Sequence, residues 1–278
     1  SHSIEPASGG GYWIVGRRID PVPNDPDYQP IVVPDRTTGH IEDDLILKVG
    51  ADGKVVLQKS VYKLLMDNGF APLLTATGTA MAAKSLSDNE LLHLNMIEEL
   101  QPELAAAFPA FAAGDLVLSV RDYNLVFVVD PHSWAVKWHS VGPWLRQHSA
   151  RFLADGTIGV FNNNTFVFQS GPDGTTRLDQ PRVSNILAVD PISGRATLRY
   201  GGTLGQEMLS VVRGYLQEQP DGDLLVTEPE AGRILQVNAA GATVWEYINR
   251  YDAAHVLEMT GARAYPASYF SVTDWSCP

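Results

Sequence analysis

The chain has 278 residues, 45% hydrophobic and only 19% charged, which is ample material for a large core and little of the charge that keeps chains disordered. Its formal net charge of −12 excludes broad electrostatic binding to nucleic acid or an anionic membrane, since either needs a basic face. The single cysteine, Cys277, excludes an intramolecular disulfide, and no apolar run approaches the roughly 18 residues of a membrane-spanning helix.

The first predicted element is a strand pair, HSIEPASGGGYWIVGRR from His2, folded about a run of glycines. Residues 20–44 are rich in Pro and Asp and read as a long loop. A second hairpin follows at 45–57, LILKVGADGKVVL, with an Asp-Gly turn that favours positive φ. Residues 60–112 interrupt the pattern with SVYKLLMDNGF and ELQPELAAAFPAF, whose spacing is helical, and such insertions are expected to cover one mouth of the fold.

The same two half-motifs then recur. The first returns as HLNMIEEL plus AGDLVLSVRD from His93, as HSARFLADGTIGVFNN from His148 and as RGYLQEQPDGDLLVTE from Arg213. The second returns at 126–138, 186–198 and 234–245. Each full repeat supplies four alternating strands in roughly 40–50 residues, the period of a β-propeller blade. The expected fold is therefore all-β: a single propeller domain over 1–278 with four-stranded antiparallel blades, five or six in number. Four blades are clear, and 255–269 reads as part of a fifth.

The second and third repeats carry a more specific signal. His93-Leu94-Asn95, Gly114-Asp115, Leu118-Ser119-Val120-Arg121 and the hairpin ending in Val136-Lys137-Trp138 resemble the arylsulfotransferase pattern of H-x-N, a GD turn, L-S-x-R and V-x-W. Gln147-His148 and the strand ending VFNN are similar to the same family's QHD and VFDN segments. This resemblance implies a channel lined by the innermost strand of each blade. There, histidines and an arginine hold a sulfuryl group and one histidine becomes transiently sulfated. Carried over by position, His93, His148 and Arg121 are the candidate catalytic residues. His2, Asn95, Arg17, Arg213 and Asn163 are the candidate substrate-binding ones. The physics suits them, because charge on a transferring sulfuryl group is stabilised by cations and N–H donors, while imidazole serves as nucleophile, acid or base near neutral pH.

The departures are equally specific. No arginine follows Asn162-Asn163-Asn164, and Arg182 comes only later; where the sulfated histidine would stand, the fourth repeat has Val212, Arg213 and Gly214. His2 and His255 are the remaining imidazoles that would have to take over. Arg17, Arg121 and Arg213 are expected to make the channel locally basic despite the net charge. Trp138, Trp245 and Tyr247 are expected to pack between blades.

No G-x-S-x-G, P-loop or H-E-x-x-H motif is present, and the Asp-Gly turns lack calcium-loop spacing. No cofactor and no metal are therefore expected, although three converging imidazoles would suit one. The expected partner is a small phenolic or anionic molecule, with no nucleic acid and no membrane insertion. The resemblance implies a periplasmic or secreted setting, with no signal peptide in the chain itself. Three functions stay open: sulfuryl transfer, a lyase, isomerase or hydrolase on the same scaffold, or a ligand-binding propeller without catalysis.

Overall fold

The computed structural model describes residues 3–18, 42–74, 91–165 and 183–272. His2, Arg182 and most of the 20–44 loop lie outside them. Among the described residues sixteen strands form four antiparallel sheets, each of four strands in chain order. Blade 1 holds β1 (Ile4–Pro6), β2 (Tyr12–Arg18), β3 (Asp43–Val49) and β4 (Val55–Ser60); blade 2 holds β5 (Leu94–Glu99), β6 (Leu116–Val120), β7 (Leu125–Val129) and β8 (Val136–Val141). Blade 3 comprises β9 (His148–Phe152), β10 (Ile158–Asn162), β11 (Asn185–Val189) and β12 (Ala196–Gly201), and blade 4 comprises β13 (Tyr215–Glu218), β14 (Leu224–Glu228), β15 (Arg233–Val237) and β16 (Thr243–Ile248).

Turn chemistry explains the repeat. Asp130 and Asp190 each open a D-P-x-S hairpin, and each side chain accepts a backbone N–H two residues on and the serine hydroxyl three residues on. Those hydrogen bonds hold both carboxyls below the usual range. Gly53, Gly156 and Gly222 complete the Asp-Gly turns at φ of 80°, 81° and 85°, where a side chain would be strained.

The first strands neighbour one another, β1 beside β5, β5 beside β9 and β9 beside β13, so they line the centre. Three apolar layers hold the blades together. Trp13, Val15 and Ile46 pack with Leu94, Leu118 and Phe127; Val117, Val126 and Val128 with Phe152, Ile158 and Val160; Phe161 and Ile186 with Leu216 and Val226. At roughly 1.5–3 kcal/mol for each large side chain buried, these layers are the main stabilising term.

In the described part of the 60–112 insertion, α1 (Val61–Asp67) wedges Val61, Leu64 and Leu65 into the core between blades 1 and 2, and Asn68 binds the backbone of Trp134 and Val136. One expectation changes. The segment 255–269 contributes no strand. It forms one bridge, Arg250 to Val256, then runs along blade 4 through Met259 N to Pro229 O and Ala262 N to Thr227 Oγ1. Arg263 reaches across to Ile4 O and Glu5, so this tail joins the fourth blade to the first.

The tail leaves part of one blade-4 face uncovered. Trp245 and Tyr247 stack there at 6.4 Å, 48% and 44% exposed, rather than packing between blades. Trp138 does pack against the layer between blades 2 and 3.

Candidate functional site

Antiparallel order puts the start of every first strand and the end of every second strand at one mouth. Backbone strain concentrates there. Of the seven described non-glycine residues with positive φ, six lie at this mouth: His93, Asn124, Arg146, Ser149, Asn164 and Arg213. Such conformations are disfavoured for L-residues and persist only where the surroundings impose them, often at functional sites.

Below the mouth lies a cavity of about 730 Å³, walled by Asn95 and Met96 of blade 2, His148 and Ser149 of blade 3, and Arg213 of blade 4. The rings of His93 and His148 approach to 6.5 Å, edge to face, and both residues are buried. His148 Nδ1 lies 2.7 Å from Asn163 Oδ1. Asn95 donates to Gln147 O at 2.7 Å, and its own Oδ1 is buried without a hydrogen-bond partner among the described residues. Gln147 in turn ties blade 3 to Ser119, Val120 and Leu125 of blade 2. The site is thus positioned by inter-blade hydrogen bonds as well as by packing.

The sequence-predicted residues divide cleanly. His93, His148, Asn95, Asn163 and Arg213 come together at this mouth, whereas His2 lies outside the described residues. Arg121 sits in a 3-10 turn after β6, bonded at 3.0 Å to the adjacent Asp122 and absent from the cavity wall. Arg17 faces Asp44 across the sheet and bonds Glu42 at 2.8 Å, also away from the wall. Arg213 lines the cavity but pairs with Glu258 of the tail. Each expected cation therefore has a carboxylate, and the chamber is less basic than the sequence suggests. His255 is exposed and held by Asp252 at 2.8 Å, and it is absent from the cavity wall. Among the described residues no group of three His, Cys, Asp or Glu is arranged to hold a metal.

Sequence reasoning missed what closes the chamber. Glu5 of β1, Glu98 of β5, Arg151 of β9, Tyr215 of β13 and Arg263 of the tail meet in the centre. Arg151 donates to Glu5 at 3.0 Å through both terminal nitrogens and to Glu98 at 2.6 Å. Tyr215 lies under two guanidiniums, 4.6 Å from Arg151 and 5.3 Å from Arg263. This layer separates the upper cavity from a second of about 880 Å³ toward the opposite mouth, walled by Glu98, Phe152 and Gln217. The sequence signal was slight, an arginine between Ala150 and Phe152 in the strand HSARF, all five residues of which are buried.

Burial first of all pushes the Tyr215 phenol up to about 12 from its ordinary value of 10. A group whose folded pKa is raised stabilises the fold fully below pH 10, and that contribution is lost as pH rises through about 12. We expect wild type to lose roughly 2–3 kcal/mol across that window, read by urea unfolding, and Tyr215→Phe to lack this loss. Parallel pH curves for the two proteins would refute it.

A family model described as Arylsulfotransferase (ASST) matches residues 1–250. Among solved structures, a streptogramin B lyase aligns over 88% of this chain and 67% of its own, at 12% identity and a TM-score of 0.38. Virginiamycin B lyase from Staphylococcus aureus aligns over 88% and 68%, at 11% identity and a TM-score of 0.39. A protein of unknown function from Bacteroides caccae aligns over 73% and 68%, at 13% and 0.35. No curated protein matches. Match and repeat together cover every described blade, and the chain belongs to the arylsulfotransferase (ASST) family.

Proposed function

We propose that this protein is an enzyme that moves a sulfuryl group between small phenolic molecules in the upper chamber. The observation that carries the reading is the His93–His148 pair, buried at 6.5 Å beside a cavity of about 730 Å³ that Arg213 also lines. In the direct route, the acceptor's phenolic oxygen bonds to sulfur as the donor's aryl-oxygen–sulfur bond breaks. His148 takes the acceptor's proton and returns it to the departing phenolate. Asn95 and Arg213 hold the sulfuryl oxygens once the anion has displaced Glu258. Direct transfer is favoured because the fourth blade offers Val212, Arg213 and Gly214 where a histidine nucleophile would stand.

The test uses 4-nitrophenyl sulfate with and without phenol, following nitrophenol release and intact mass. Expected are acceptor-dependent release, a loss of about 10²–10⁴-fold in His148→Ala and His93→Ala, and no adduct with donor alone. Turnover unchanged in both variants would return the histidines to a structural role. A mass gain of one sulfuryl group on either would replace direct transfer by a covalent route.

The pairing of Arg213 with Glu258 favours a second reading, in which the chamber performs lyase, isomerase or hydrolase chemistry, or only binds a ligand. Binding of phenyl sulfate by calorimetry, without transfer, would select it. Family membership supports a periplasmic or secreted setting, and no described helix is long and apolar enough to cross a membrane.

A further inference from the structure

The hydrogen bonds around Asn163 fix more than its own position. Its amide nitrogen Nδ2 lies 2.9 Å from Ser210 O and 2.5 Å from Arg213 O. Both are backbone carbonyls, which only accept, so the atom between them must be the NH₂ group. Reversing the amide would press Oδ1 against two carbonyl oxygens. The atom 2.7 Å from His148 Nδ1 is therefore Oδ1, an acceptor without a proton. A hydrogen bond of that length needs a donor, and only the imidazole can supply it.

We infer that Asn163 is a positioning residue that holds His148 in its Nδ1–H form, leaving Nε2 as the basic ring atom. The inference deepens the proposed chemistry and rests on it for its functional meaning, though not for its geometry. Asn163 was expected to touch substrate; both ends of its amide are instead engaged with protein. Ser184 extends the support, since its hydroxyl donates to Asn163 O at 3.0 Å and accepts from Ser210 N at 2.9 Å. Asn163 is fully buried, so the amide is locked by the junction of blades 3 and 4. Such an orienting partner decides which nitrogen faces the chemistry, and a base in the wrong tautomer is present but useless.

The decisive measurement is a long-range proton–nitrogen correlation spectrum of the wild-type protein labelled with nitrogen-15 in histidine. For His148 at neutral pH, Nδ1 should resonate as a protonated, pyrrole-type nitrogen and Nε2 as a pyridine-type one. The opposite assignment overturns the inference, whatever the enzyme does. In Asn163→Ala the population should move toward the Nε2–H form, with kcat/KM falling on the order of 10²-fold and KM little changed. If that variant does not fold, the wild-type spectrum decides alone. A pyrrole-type Nδ1 together with undiminished turnover in His148→Ala would leave the tautomer standing and remove only the sulfuryl-transfer reading.

Discussion

Arg151→Met is expected to destabilise the protein by about 3–5 kcal/mol, seen as a lower urea midpoint with an unchanged slope. The reason lies in what the substitution strands. Arg151 is 6% exposed, and its guanidinium holds Glu5 of blade 1 and Glu98 of blade 2 while stacking on Tyr215 of blade 4. Burial works against its charge, but the carboxylates of Glu98 and Glu5 outweigh that and keep it firmly protonated. Without it, among the described residues, Glu98 retains only the Phe152 N–H and Glu5 only Arg263. Buried ion pairs contribute little over an apolar substitute, yet breaking one from a single side is severe. The double variant Arg151→Met, Glu98→Gln should therefore recover at least half of the loss. A single-variant effect below about 1 kcal/mol would show that water, and not Arg151, satisfies these carboxylates.

The contrast between this layer and the mouth explains what a sequence reveals. Repeated turns made the fold legible, because Asp130 and Asp190 fold their hairpins by the same local bonds. The proximity of the two histidines was legible because His93 immediately precedes β5 and His148 opens β9, and antiparallel order brings those strand starts to one mouth. Arg17 and Arg121 stand away from the cavity wall, and their partners are decided locally, a cross-strand Asp44 and an adjacent Asp122. The central layer was invisible for the opposite reason: Glu5 and Arg151 meet across 146 residues, and Glu5 and Arg263 across 258. The tail misled as well, since it follows blade 4 through one bridge and single hydrogen bonds without forming a strand. Charge placement between blades is a tertiary property, while blade identity is carried by turns.

Gly214→Ala is expected to lose about 3 kcal/mol or more, and Gly214→His to fold poorly rather than gain a covalent mechanism. Gly214 has φ of 132°, a conformation that L-residues rarely adopt. A Cβ there would stand 2.4 Å from the ring of Phe161, which is fully buried between blades 3 and 4. Backbone strain of about 1–3 kcal/mol and overpacking of similar size add, because neither relaxes the other. Shrinking the obstacle separates the two: Gly214→Ala with Phe161→Leu should recover the overpacking share but not the strain, after allowing for Phe161→Leu alone. The functional consequence follows from the same contact. An imidazole at position 214 would meet that clash, so the proposed chemistry rests on His148 and His93 on blades 3 and 2. A stable Gly214→His protein that acquired a sulfuryl adduct from 4-nitrophenyl sulfate would reverse this conclusion, showing that blade 4 lacks a nucleophile by sequence alone and not by shape.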